Sequence, residues 1–408
     1  MVDDSDGAEL SISSGSVLLV STQPWGFAGR LAGALHHAGF AVHGAVTNGC
    51  LLSHSGVLCG RHKLRHRALR DDLAAILRRV QPATVIACDD PAASALMALQ
   101  AVPDLAALIA AAMGDPSSYA ALGSKAQQMQ VAHALGLPIP PTVQIADLDS
   151  LQTALAAARL PVVLKSDATS GGTGVVVIDD ATMGSVAWTR LTSRLSLPFL
   201  VAALFRDRSL QAWVRWRNWQ APRVHLQQFV AGAPANRAVL CRDGEVLAGV
   251  SVEVLQTVYP GGPASVMRGI EHPGMTSSTA AMVRELKLSG LHGFDFVLED
   301  GTGRAVLLEI NPRATPIAAI ALGAEGADLP GLLFTAVTGQ PAATPRRTPG
   351  TEVAVFPAEW ARDPASPYLR SAWHDVPWED PPLLRAYLAK VYAQQRFEAI
   401  KARLAGFL

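Results

Sequence analysis

The sequence predicts two architectures in one chain: an α/β unit with a parallel sheet, then an α+β region built on antiparallel hairpins. Three observations carry this. Short apolar strands alternate with helical segments over residues 16–113. Residues 291–315, LHGFDFVLEDGTGRAVLLEINPRAT, read as a β-hairpin that carries acids. Residues 162–178, VVLKSDATSGGTGVVVI, read as a strand, a Ser/Gly-rich loop and a second strand.

In the first unit, residues 17–20, 41–46 and 84–88 are apolar runs of strand length. Residues 25–39 and 64–79 read as the helices between them, and this alternation implies a parallel sheet. The first turn, STQPWGFAG, lacks the G-x-G-x-x-G fingerprint, which disfavours an oxidoreductase built on this domain. Residues 94–114 are largely apolar, but Pro103 and Asp104 interrupt them, so two buried helical segments are expected and not a membrane span. Cys50, His54, Cys59, His62 and His66 are zinc-ligand types at short spacing. They lack a finger pattern, and interleaved Arg61, Lys63, Arg65 and Arg67 oppose a cation, so a solvated basic stretch is the expectation.

The hairpin is the chemical centre. GFDFVLE alternates as a strand does, EDGTGR supplies a two-glycine turn, and AVLLEI is the return strand. Asn311-Pro312 ends the ladder, because proline has no N–H to donate. Glu309 and Asn311 are two residues apart and share a face. A turn near residues 300–303 sets Asp295 roughly opposite Glu309, with Arg313 just beyond. Two carboxylates and an amide oxygen form an all-oxygen set that suits Mg²⁺. The plainer alternative is a half-exposed hairpin whose acids face water.

Upstream, Lys165 ends an apolar strand, and Ser170, Gly171, Gly172, Thr173 and Gly174 form a loop that can offer backbone N–H groups to phosphate. It is no Walker loop, because a strand follows it. A lysine inside an apolar strand needs an anionic partner. That partner is a phosphate or, within the protein, Asp167. Residues 124–135 read as a helix ended by Gly136 and an extended Pro138, Pro140, Pro141 exit. Lys125 lies in its first turn.

With these pieces together, the chain resembles the ATP-grasp enzymes, in the branch of biotin carboxylase and the carbamoyl-phosphate synthetase large subunit. The resemblance spans residues 17–339. It rests on EINPR at 309–313, GFDF at 293–296, SKAQQMQVAHALGLPIPPT at 124–142, and the Lys165 strand with its loop. It implies a Rossmann-like first domain (16–113) followed by a two-lobed ATP-grasp domain (114–340). Lys125 and Lys165 would reach the nucleotide phosphates. Gln228, Phe229 and Val230 would lie at the hinge near 228–232, beside adenine, with Asn236 and Arg237 near ribose or phosphate. Asp295, Glu309 and Asn311 would hold Mg²⁺, with Mn²⁺ as an alternative metal. Ser166 stands where the family usually has proline.

The activity so implied is ATP-dependent ligation: a carboxylate becomes an acyl phosphate, and an amine displaces the phosphate. Arg313 is expected to stabilise that intermediate and Arg268, in the Gly/Pro-rich stretch 259–275, to bind the acid. The alternative is a non-catalytic ATP-binding module with the same fold. No Met-Lys-Met biotinyl segment is present and the chain is too short for a double-grasp synthetase, so the expected partners are a small-molecule carboxylate and amine.

Composition agrees. Lys+Arg and Asp+Glu both number 34 and half the residues are hydrophobic, which disfavours nucleic-acid and membrane partners. Four scattered cysteines suit a reduced, cytoplasmic protein. Residues 1–15 read as a frayed tail. Trp213, Trp216 and Trp219 suggest core packing. Residues 341–408 read as a linker and an extension suited to covering the grasp domain or to a homodimer contact.

Overall fold

The computed structural model describes residues 15–167, 174–193, 217, 222–322, 328–343 and 352–405. The first unit is a parallel sheet in the order β3-β2-β1-β4, from β1 (Ser16–Ser21), β2 (Ala41–Val46), β3 (Gly60–Lys63) and β4 (Thr84–Ala87). Its strand order reverses between β1 and β4, which opens a crevice at their carboxyl ends. Helices Phe27–Ala38, Leu69–Val80, Asp90–Leu99 and Pro103–Met113 cover the two faces. Pro103 opens the last of these, so the apolar run at 94–114 is two helices. No single helix among the described residues is long and apolar enough to cross a membrane.

Two further sheets follow. The smaller has the order β5-β8-β6-β7, from β5 (Thr142–Ile145), β6 (Val162–Ser166), β7 (Val175–Ile178) and β8 (Val224–Gln228). The larger has seven strands, β13-β12-β9-β10-β11-β14-β15. These are β9 (Gly232–Arg242), β10 (Glu245–Thr257), β11 (Ala264–Ile270), β12 (Gly290–Glu299), β13 (Ala305–Asn311), β14 (Glu352–Ala354) and β15 (Trp373–His374). The chain leaves the small sheet at Gln228 and enters the large one at Gly232, so three residues make the crossing.

Packing sets which way the chemical groups point. Phe294 and Phe296 on β12 are fully buried with Val239 and Met282. A one-residue slip would take both rings out of this cluster and turn Asp295 into it. Asp295 between them is thereby locked onto the opposite face. That face also carries Ala238, Leu240, Val250 and Val252, which pack with the first unit in one continuous core. The first unit and the sheet that carries the β12/β13 hairpin are therefore joined by apolar burial.

Gly290 shows how close that junction is. It has φ +83°, and a Cβ there would lie 2.1 Å from the Ala112 carbonyl oxygen. Neither the backbone conformation nor the space admits a side chain. Gly290→Ala should cost on the order of 3 kcal/mol, read as a lower urea midpoint at unchanged slope. An unchanged midpoint would mean that the helix end and β12 are not in fixed contact.

Three local expectations need correction. Residues 259–275 are not one loop: the turn lies at 260–263, and β11 follows it, pairing with β10 and β14 although it contains Gly269. The helix expected from 276 begins at Pro273, with His272 accepting from the Met275 amide. Residues 317–339 are apolar enough to read as one helical segment, but among the described residues they hold a single 3₁₀ turn at Pro316–Ala319 and the helix Leu329–Thr338, with 320–322 outside both. The tail up to residue 14, Ser170, Gly171, Gly172 and Thr173, and Trp213, Trp216 and Trp219 lie outside the described residues.

Candidate active site

Asp295 and Glu309 are direct partners across the β12/β13 ladder, and Gly293 pairs with Asn311. The register shifts beside Asp295, where Leu308 is the extra residue. Across the other edge of β12, Asp295 pairs with Asn236. The Asn236 Nδ2 donates to Asp295 Oδ1 at 2.6 Å, and the Asn311 Nδ2 donates to Asp295 Oδ2 at 3.1 Å. Glu309 Oε2 lies 2.7 Å from Lys125 Nζ. Lys125 is held there because Ser124 caps its helix and Gln128, one turn on, bonds the Ile310 backbone through both ends of its amide.

The small sheet supplies the other wall. Val162 and Leu164 pack into its core, so Lys165 takes the opposite face by alternation. His225 pairs with Lys165 across β6/β8 and shares that face, as does Gln227. His225 Nδ1 stands 3.8 Å from Asp167 Oδ1. Lys165 is buried, and no carboxylate lies within ion-pair distance of it among the described residues.

Electrostatics ties the two walls together. Burial and the nearby Glu309 charge both push the Asp295 carboxyl up. Burial opposes ionisation of Glu309 too, but Lys125 and Lys165 outweigh it and hold Glu309 down. Burial lowers Lys165 to about 8, with Glu309 and Asp295 opposing and Lys125 adding to the effect. Burial, then the two lysines, hold His225 at about 4, so it is neutral at pH 7. Two lysines and two carboxylates thus face each other across one cleft, with net charge close to balance.

Several expected residues sit elsewhere. Arg268 is a correction: it pairs in register with Glu253, which pairs with Ala235, which pairs with Phe296, so it lies on the face opposite Asp295. Its guanidinium is 2.8 Å from Glu352. Arg237 is also on that far face, bonded to Ser251. Gln228 ends β8 at the crossing between the sheets, where the hinge was expected, but its side chain takes the face away from Lys165, and its Nε2 donates to the carbonyls of Arg159 and Pro161. Gln227 is the glutamine on the cleft side. Asn236 meets Asp295 and so belongs to the acid cluster, not the ribose end. Asn311 lies beside Asp295 as expected, but its oxygen accepts from Arg313 and its nitrogen donates to Asp295, so its amide bridges the two. Asp167 does not pair with Lys165. It lies one residue past the end of β6 and turns toward Lys125.

Phe229 is exposed and Val230 half-exposed at the crossing between the sheets. Gly174 accepts from the Ser166 amide, closing the base of the loop between β6 and β7. The residues that sequence reasoning missed are Asp90, His225 and Gln227. For the last two the signal was the alternation of VHLQQ once Lys165 fixes the cleft face.

A family model described as carbamoyl-phosphate synthase L chain, ATP binding domain matches residues 124–341, more than half of the chain. The chain belongs to this family. Its ATP-grasp fold is shared with solved structures at low identity. The biotin carboxylase domain of Hydrogenobacter thermophilus 2-oxoglutarate carboxylase, solved with MgADP and bicarbonate, is 13% identical with a TM-score of 0.58, over 80% of this chain and 70% of that one. N5-carboxyaminoimidazole synthase from Aspergillus clavatus is 13% identical with a TM-score of 0.57, over 81% and 78%. An L-amino acid ligase from Bacillus licheniformis is 14% identical with a TM-score of 0.53, over 79% and 74%. No curated protein sequence matches the chain.

Proposed function

We propose that this ATP-grasp chain is an ATP-dependent carboxylate–amine ligase. The observation that carries the reading is the facing arrangement of Lys125, Lys165, Glu309 and Asp295. A passive nucleotide binder has no need of two half-buried carboxylates that repel each other. The solved relatives include a biotin carboxylase domain with MgADP and an amino acid ligase, which is consistent with it.

The donor set fits a divalent ion. Asp295 and Glu309 offer oxygen only, and Asp295 is disfavoured as a carboxylate until a cation relieves it. Magnesium bound there would neutralise phosphate charge and polarise the γ-phosphoryl group. Lys165 would take a phosphate oxygen as its missing anion. Lys125 would exchange Glu309 for phosphate. Phosphoryl transfer needs positioning and charge stabilisation more than a protein nucleophile. A substrate carboxylate oxygen attacks the γ-phosphorus and ADP leaves. The amine then attacks the acyl carbon, and phosphate leaves with that same carboxylate oxygen. Arg313, joined to Asp295 through Asn311, would supply fixed positive charge to the acyl phosphate.

The test is a pairwise screen of amino acids and other small carboxylates and amines with ATP and Mg²⁺. Phosphate release should require both substrates, and mass spectrometry should find an amide. An ¹⁸O label in the carboxylate should appear in the released phosphate. ADP formation indifferent to added carboxylate, or binding of ATP without turnover across the panel, would favour the non-catalytic module.

A further inference from the structure

Arg313 is enclosed from two sides at once. Its Nε donates to Asp90 Oδ1 at 2.8 Å, and its Cζ lies 5.2 Å from the centre of the Trp25 ring. Both partners belong to the first domain. On the other side its Nη2 donates to Asn311 Oδ1 at 3.0 Å and its Nη1 to the Ala314 carbonyl. Arg313 as a whole is only 7% exposed. A buried charge of this kind is stable only when its donors are taken, and here one carboxylate supplies the counter-charge.

The placement of Asp90 is itself fixed. It is the first residue of the Asp90–Leu99 helix, whose cap, Asp89, is buried at the carboxyl end of β4. Asp89 accepts from the amides of Thr22, Gln23 and Ala92, which ties the β1 and β4 exits into one rigid corner. A backbone bond from the Ala314 amide to the Ala87 carbonyl, 3.0 Å, joins that corner to the exit of the hairpin. Asp90 is therefore aimed by the first domain and not by its own flexibility.

Beyond Arg313 the contacts continue. With its oxygen occupied by Arg313, the Asn311 amide must present its nitrogen to Asp295. Asp90, Arg313, Asn311 and Asp295 thus form one unbroken series of hydrogen bonds from the first domain to the carboxylate pair. Asp90 also lies close enough to Lys125 to favour its charged form, after Glu309.

We propose that Asp90 is a positioning residue for the metal-binding carboxylates, acting through Arg313 and Asn311 on Asp295. It touches neither nucleotide nor metal. The proposal rests on the ligase reading for the presence of a metal at Asp295 and Glu309, and goes beyond it by making the first domain part of the nucleotide machinery. Neutralising Asp90 leaves the Arg313 guanidinium without its counter-charge, free to swing toward Glu309 or to drop Asn311. Either movement disorders the carboxylate that the ion needs.

The experiment is Mn²⁺ binding in the presence of ADP, read from the electron paramagnetic resonance of the free ion, on the full chain. Asp90→Asn should weaken Mn²⁺ by about tenfold, the size of one charge-assisted hydrogen bond. ADP binding without metal should stay within twofold. In turnover, kcat should fall with KM for ATP nearly unchanged, and Asp90→Glu should recover part of the Mn²⁺ affinity. If Asp90→Asn does not fold, Trp25→Leu, which strips the ring from the same guanidinium, carries the same expectation. Mn²⁺ affinity within twofold of the parent in these variants overturns the proposal, and a fall in melting temperature alone reduces Asp90 to a domain clamp. A parent chain that binds no Mn²⁺ with ADP overturns this proposal and the ligase reading together.

Discussion

Glu309→Gln should reduce kcat by about 10³-fold, because it removes charge from the point where the two walls of the cleft meet. Glu309 is ion-paired to Lys125, with side chains 19% and 16% exposed, and it is the group whose charge most offsets the burial of Lys165. The amide keeps the size of the side chain and removes only its charge. Metal affinity should collapse, since Asp295 alone remains ionisable on that face. Nucleotide binding without metal should move the other way. Lys125, released from its carboxylate, becomes available to phosphate, so metal-free ADP should bind as tightly as in the parent or more tightly. Some stability should be lost as well, because two neighbouring lysines lose a shared counter-charge. Steady-state ADP production, Mn²⁺ titration and metal-free ADP titration separate these effects. Residual turnover within about tenfold of the parent would remove Glu309 from the chemistry.

What could be read in advance was set by local periodicity. The approximate opposition of Asp295 and Glu309 follows from an alternating strand, a two-glycine turn and a second strand, but regular pairing from that turn would set Leu308 against Asp295, and only the bulge at Leu308 brings Glu309 opposite. The errors lie where parity or partner depends on the rest of the fold. Gln227 and Gln228 are one residue apart and both polar, and only the pairing of His225 with Lys165 decides which faces the cleft. Arg268 has the right chemistry, but its face is set through three strands to which no local pattern refers. Asn311 sits where expected and yet turns its oxygen away, because a guanidinium two residues on competes for it. Asp90 could not be found at all. It lies 223 residues from Arg313 in sequence, and its position is fixed by a corner of the first domain. Strand content was under-read in 259–275 for a related reason. Glycine and proline dominated the local impression, while the pairing that makes β11 a strand comes from both neighbours.

Lys165→Met should raise the Kd for ADP by about a hundredfold at pH 7, the scale of two hydrogen bonds to a charged group. It should also abolish a pH dependence that the parent shows. In the free protein the Lys165 ammonium is buried, flanked by His225 on the neighbouring strand, and lowered to about 8. A phosphate oxygen beside it favours the charged form and raises its pKa again, so the nucleotide selects the protonated lysine. Above pH 8 a proton must then be taken up on binding. Affinity should be level below pH 7 and fall by about tenfold per unit above 8, until the pKa of the bound form is reached. Stability runs the opposite way. The unfolded chain keeps this lysine protonated to its ordinary value near 10.5, so between about 8 and 10.5 it holds more protons than the folded one at this site. The contribution of Lys165 to stability therefore rises with pH across that window, because the folded protein is relieved of a buried charge. Lys165→Arg separates charge from titration. A guanidinium stays protonated throughout, so that variant should retain part of the affinity at pH 7 and lose the slope. Calorimetric titration with ADP at pH 7, 8 and 9, in two buffers of different ionisation enthalpy, measures both the affinity and the proton uptake. A flat parent profile with no uptake at pH 9, or a Lys165→Met profile as steep as the parent's, would show that the nucleotide phosphates do not meet this lysine.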